Sequence, residues 1–251
     1  MGPVRGAGAW ARRRSLSATT TSHHGRTWRV LERTASPGEL HGQQPDPHGA
    51  RLACVCRPLS PAVVIGSSQD ASDFDEGRLV AANMALVRRH SGGGAVLVAP
   101  GQQVWVDVFV PSGDELAEDD VGKSFHWLGE VFAASLASVL GLSPATNLIE
   151  VNRGPALKTS WSEVLCFAGL GPGEVTVAGR KVVGMSQRRK RAGAWIHAMA
   201  VVGSRSVTVA DFLAEPASSR GEARALLGSV GLPDAEHLVS QLTEDLLNRL
   251  N

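Results

Sequence analysis

The feature that most limits the fold is a hairpin near residue 179. The apolar runs Glu174–Ala178 and Lys181–Gln187 are joined by the turn Ala178-Gly179-Arg180. So short a link can only reverse the chain between adjacent antiparallel strands, because a parallel pair needs a crossover of about a dozen residues or more. Strand-like runs recur at Leu52–Arg57, Ala62–Gly66, Met84–Arg89, Ala95–Val98, Val104–Val110, Glu163–Ala168 and Ala194–Gly203. Pro58, Pro61, Ser91-Gly92-Gly93-Gly94 and Pro100-Gly101 separate several of them with residues that end or turn strands. Helical spacing predicts a short helix over Glu76–Ala82, stopped by Asn83, and the longest helix over Val121–Leu140. Further helices are expected over Ala210–Leu213, Arg220–Val230 and Asp234–Leu250. Strands crowd the middle and helices the end, which predicts an α+β domain with a mixed, largely antiparallel sheet and flanking helices.

The 251 residues are 43% hydrophobic and 20% charged, enough apolar material for a sizeable core. A net charge of +1 argues against a dedicated nucleic-acid binder. No apolar run reaches the roughly 18 residues of a membrane span. Three cysteines are too few for a disulfide scaffold and suit a reducing compartment, so a cytoplasmic location is expected. Met1–Arg26 holds five arginines, a Ser/Thr cluster and no acidic residue. It reads as a disordered or targeting tail ahead of a catalytic domain over residues 27–251, and Gly38–Gly49 reads as a loop.

Several segments could carry chemistry. In Arg88-Arg89-His90-Ser91-Gly92-Gly93-Gly94-Ala95-Val96, three glycines can expose successive N–H groups to an anion, while the arginines add charge and Ser91 a hydroxyl. A plain hairpin turn fits the same spacing, and no helix follows as a P-loop would require. Lys181 is one of only four lysines and opens an apolar strand, where an ammonium needs a partner. It could hold a phosphate or carbonyl oxygen, or point to solvent from a hairpin end. Cys166 is either a small buried hydrophobe or an acyl-accepting nucleophile. Cys54 and Cys56 share a strand face, but no second pair accompanies them and no metal site is expected. Arg188-Arg189-Lys190-Arg191 reads as a solvated loop that could also meet phosphates or an acidic protein surface. His197 reads as a satisfied structural residue. Asp107, inside an apolar strand, needs a partner.

In order along the chain, Arg-Arg-x-Ser-Gly-Gly-Gly-Ala-Val at 88–96 and Gly-Arg-Lys-Val-x-Gly-x-Ser-Gln at 179–187 resemble the lipoate–protein ligase family, which includes octanoyltransferases. Val64-Ile65-Gly66-Ser67-Ser68-Gln69 is similar to the family's first strand and loop. The resemblance implies a fold related to biotin ligases and class II aminoacyl-tRNA synthetases. It implies that Arg89, Ser91, Gly92, Gly93 and Gly94 line an acyl and adenylate pocket. Lys181 matches the family's essential lysine, Glu174 an acidic residue before it, and Gly184 and Ser186 the strand that follows. Val98 stands where the family usually has histidine, and His197-Ala198 departs from its usual His-Gly.

On this resemblance the expected function is attachment of a lipoyl or octanoyl group to a lysine of a lipoyl-acceptor protein domain. A ligase would use ATP and Mg2+ to form an acyl-adenylate and could need a small accessory subunit. The alternative is an octanoyltransferase in which Cys166 takes the acyl group from acyl carrier protein without ATP. A third reading, prompted by Val98, is a binding protein that has lost turnover. Replacing Lys181 by alanine is expected to abolish transfer with little loss of stability.

Overall fold

The computed structural model describes residues 17–23, 26–42, 44, 46–143, 148–202, 207–227 and 235–250. Eleven strands are found among them: β1 Ser17–His23, β2 Arg26–Ala35, β3 Leu52–Pro58, β4 Ala62–Ile65, β5 Ala85–Arg88, β6 Val96–Val98, β7 Gln103–Pro111, β8 Ile149–Val151, β9 Val175–Val177, β10 Arg180–Lys190 and β11 Gly193–Val201. The α-helices are α1 Pro37–Gly42, α2 Glu76–Ala81, α3 His126–Val139, α4 Ala217–Leu226 and α5 Ala235–Leu250. An eight-stranded sheet runs β1-β2-β3-β7-β11-β10-β9-β8, and a three-stranded sheet runs β5-β4-β6. Within the described sheets only β2–β3 and β4–β5 pair in parallel. The fold is therefore α+β with a mixed, largely antiparallel sheet and flanking helices.

The pleat of the two central strands divides the molecule. On β7, Val104, Val106, Val108 and Val110 face one side; on β11, Ile196, Ala198 and Ala200 join them. These residues pack on Leu128, Phe132 and Leu136 of α3 and on Leu238, Leu242 and Leu246 of α5. The intervening residues Trp105, Phe109, Trp195 and Met199 face the other side, against Leu40 of α1, Val64 of β4 and Val98 of β6. Period-two alternation thus puts Asp107 and His197 on the side covered by the small sheet, not on the helical side.

The hairpin at residue 179 forms with Ala178 at φ 49° and Gly179 at φ 74°, the left-handed pair that a two-residue turn requires. Asn83, at φ 50°, follows α2 in a left-handed conformation as its position implies. Other elements differ from expectation. Residues 163–168 are not a strand: Leu165 N–H bonds back to Trp161 O, and Cys166–Ala168 is a 3-10 turn. Val121–Leu140 is helical only from Lys123, first as a 3-10 turn, and α5 is the longer helix with 16 residues against 14 for α3. Arg188, Arg189 and Lys190 are not loop residues; they extend β10 and pair with β11. Gly38–Gly49 is not wholly loop, because Pro37–Gly42 forms α1. Its signal is a capping box: Ser36 Oγ accepts from Glu39 N–H at 3.3 Å, and the Glu39 carboxylate accepts from Ser36 N–H at 3.2 Å. β1 lies inside the segment read as a tail and pairs antiparallel with β2. Met1–Leu16 lies outside the described residues.

Candidate active site

The site forms where the glycine loop after β5 meets β10. Gly66 lies so close to it that a Cβ there would stand 2.0 Å from Gly93 O. Gly94 passes against the Leu165–Cys166 backbone, where a Cβ would meet atoms at 2.7–2.8 Å. Glycine is required at both places by close approach of two backbones. Ala95 N–H then donates to Val164 O and Cys166 N–H to Ala95 O, which ties Cys166 to the loop. The two sequence motifs touch through their serines, with Ser91 Oγ 2.9 Å from Ser186 Oγ.

The two arginines hold the loop rather than standing free for an anion. Arg88 donates to Gly66 O, Ser67 O and Gln69 O. Arg89 is buried and donates to Gly92 O at 2.6 Å and Gly94 O at 2.9 Å. Burial pulls the Arg89 guanidinium below its usual range, and facing Cys166 opposes that pull.

Lys181 is on β10 opposite Thr176, and a bulge in the β9–β10 pairing follows it. The bulge explains how Lys181, Gly184 and Ser186 share one face although 181 and 184 differ by an odd step. The extra residue lets Val182 and Val183 both enter the helix-side core, and the chain then resumes its alternation. Lys181 does not point to solvent: it is 7% exposed, and its ammonium lies 2.6 Å from Glu174 Oε2. It also donates to Cys166 O at 2.6 Å and sits 5.1 Å from the Phe167 ring centroid. Glu174 accepts as well from Met185 N–H and Gly171 N–H. With both charges buried, removing Lys181 alone would strand a carboxylate, so little loss of stability is no longer the expected result.

Phe167 divides two hollows. One, of about 40 Å³, is mainly apolar and is lined by Val98, Trp105, Cys166, Gly184, Met199 and His197, among others. Cys166 Sγ faces it, lying 3.3 Å from where a Cβ on Gly184 would stand. The other, of about 270 Å³, mixes Lys158, Arg180 and Lys181 with the apolar Leu157, Leu170 and Leu226, among others. Lys181 lines the second hollow only, and Phe167, whose ring its ammonium faces, is the wall that the two hollows share. The geometry brings together Arg89, Ser91, Gly92–Gly94, Cys166, Glu174, Lys181, Gly184 and Ser186.

Beneath the apolar hollow is a buried polar group that sequence spacing did not assemble. His197 Nδ1 lies 2.8 Å from Asp107 Oδ1, and Trp105 Nε1–H donates to the same oxygen at 2.6 Å. Burial opposes the Asp107 carboxylate, but His197 and then the remaining polar neighbours win, and its pKa is held below the ordinary range. His41 of α1 stacks on Trp105 at 4.5 Å, and burial lowers its pKa to about 3. Cys56 Sγ–H points to Asp107 Oδ2 at 3.9 Å; contact with Cys54 and then burial hold its thiol well above the usual range. His41 was hidden because Gly38–Gly49 reads as loop; the Ser36-x-x-Glu39 box was the available signal. Among the described residues no group of three or more His, Cys, Asp and Glu side chains is placed to hold a metal ion.

The family model of the lipoyl protein ligase A/B catalytic domain matches residues 43–230. The chain belongs to this family. It is thus an acyl ligase-type enzyme, and at the family level its chemistry is lipoyl attachment to protein. The fold is similar to that of a bi-partite lipoate protein ligase from Thermoplasma acidophilum, described with its E2 lipoyl domain. That match has a TM-score of 0.57 and 17% identity over 87% of this chain and 83% of that one. It is also similar to P. falciparum LipL1 in complex with lipoate, with a TM-score of 0.51 and 12% identity over 88% and 62% of the two chains. A comparison with curated proteins finds no match. No helix among the described residues is long and apolar enough to cross a membrane.

Proposed function

We propose that this protein attaches a lipoyl or octanoyl group to a lysine of a lipoyl-acceptor domain, as a lipoate–protein ligase acting through an acyl-adenylate. The observation that carries the reading is that Lys181 lines a hollow with Lys158 and Arg180 while its ammonium faces Phe167, the side chain this hollow shares with the apolar one. An acyl chain needs more room than the apolar hollow's 40 Å³ gives, and would enter once Phe167 shifts. The phosphates of ATP would meet Lys158, Arg180 and Lys181, with Mg2+ carried on the nucleotide oxygens. Lys181 would then stabilise the acyl phosphate and the oxyanion formed when the acceptor amine attacks. In this reading Ser91, Gly92, Gly93 and Gly94 shape the acyl end, Arg89 fixes that loop, and Glu174 aims the lysine. Gly184 keeps the floor open and Ser186 joins it to the loop. The catalytic domain would span 27–251, with β1 Ser17–His23 added at the edge of its sheet, and act in the cytoplasm. The Thermoplasma relative is described as bi-partite, which is compatible with a small accessory subunit here.

A specific observation favours a second reading. Cys166 Sγ faces the apolar hollow beside the buried Arg89 guanidinium, a setting in which a thiolate would find a cation. Cys166 would then take octanoate from acyl carrier protein and pass it to the acceptor, with no ATP. Incubating the protein with an acceptor lipoyl domain and either lipoate with Mg-ATP or octanoyl-carrier protein separates the two. Acceptor modified only with ATP supports the ligase; an acyl adduct on Cys166 with ATP-free turnover contradicts it.

A further inference from the structure

We infer that His197, oriented by Asp107, is the group that accepts the proton released when the acceptor amine attacks the activated acyl carbon. The inference rests on the acyl-transfer reading above but holds for either mode of activation. His197 lines the hollow that Cys166 and Gly184 also line, and it is 7% exposed. Neither ring nitrogen makes a hydrogen bond of good geometry among the described residues, although Nδ1 stands 2.8 Å from Asp107 Oδ1. A buried imidazole nitrogen left open costs free energy unless something in the hollow uses it.

The register places it. His197 pairs across β11 with Asp107 on β7 and with Ser186 on β10, and Ser186 is two residues from Gly184 under Cys166. An acyl carbon held against Cys166 in this hollow would have His197 in the lining around it. Lys181 is already engaged by Glu174 and by Cys166 O, so it is a poor candidate to take a proton. Val98, also lining the hollow, can take none. With Asp107 Oδ1 2.8 Å from Nδ1, the carboxylate would favour the tautomer protonated at Nδ1, leave the lone pair on Nε2, and stabilise the imidazolium once formed.

The transfer step then balances. The amine nitrogen bonds to the acyl carbon and becomes cationic. The bond from that carbon to the adenylate oxygen, or to Cys166 Sγ, breaks, and the leaving atom keeps the electron pair. The amine proton passes to Nε2, and from there to the departing sulfur or to water. The titratable and charged groups around His197 are Asp107 on β7, His41 on α1, Arg89 after β5, Cys56 on β3 and Cys166.

The test measures single-turnover transfer from lipoyl-AMP and from octanoyl-carrier protein, whichever the wild type uses, to an acceptor domain and to hydroxylamine. Hydroxylamine is neutral at pH 7 and needs no base to become reactive. His197→Gln should slow transfer to the acceptor lysine by about 100-fold or more and leave transfer to hydroxylamine within a few-fold. Asp107→Asn should weaken lysine transfer in the same selective way, with KM for the acyl donor nearly unchanged; circular dichroism and Tm confirm that each variant folds. Equal losses for both nucleophiles, or a shift in acyl-chain preference instead, would overturn the inference. A wild type that acylates no acceptor at all would instead overturn the function beneath it.

Discussion

Lys181 and Glu174 show how a single pair can serve both stability and chemistry. Each is buried, and each is the other's charge partner at 2.6 Å. Lys181→Met should destabilise the protein by about 3–5 kcal/mol in urea unfolding, because it leaves a buried carboxylate unpaired. Lys181→Met combined with Glu174→Gln should recover most of that loss; a double variant as unstable as the single one would contradict the pairing. His41 makes a second test at this scale. Its folded pKa of about 3 lies below the ordinary 6.5 because it is buried, although Asp107 pulls the other way. Between those values the unfolded chain binds a proton that the folded chain refuses. Stability should therefore be full above the ordinary histidine range and fall by about 1.4 kcal/mol per pH unit as pH drops from 6 to 4. His41→Phe, which keeps a ring against Trp105, should reduce that slope; an unchanged slope in unfolding experiments would show that His41 is not its source.

At the scale of elements, regular patterns were legible in the sequence and irregular ones were not. Period-two alternation on β7 and β11 and the Ala178-Gly179 turn are local properties, so these strands stand where the apolar runs put them. Residues 163–168 mislead because Val164, Leu165 and Phe167 are apolar for a different reason. They plug the space beneath the small sheet as a turn, held by Gly94 passing alongside. The bulge after Lys181 leaves no mark in composition, yet it decides which face the lysine takes. Gly94→Ala should lower stability by about 1–3 kcal/mol through the clash with Leu165 and Cys166, read as a drop in Tm of several degrees. An unaltered Tm would mean that the loop and the 165–166 segment are not in close contact.

For the molecule as a whole, the two linear motifs identified most of the candidate site because each is continuous in the chain. Their meeting through Ser91 and Ser186 is a product of the sheet order. The Asp107–His197–His41 group was not legible, since its members come from β7, β11 and α1, far apart in sequence. Asp107 advertised only that it needed a partner. The family match over residues 43–230 fixes the class of chemistry, and the placement of Lys181 in one hollow, against the Phe167 that walls it from the other, is what the functional account stands on. The most direct measurement is the intact mass of an acceptor lipoyl domain after incubation with the full protein and an activated acyl donor. The account predicts a gain of one acyl group with wild type and none with the folded Lys181→Met/Glu174→Gln variant; equal modification by both proteins would contradict it.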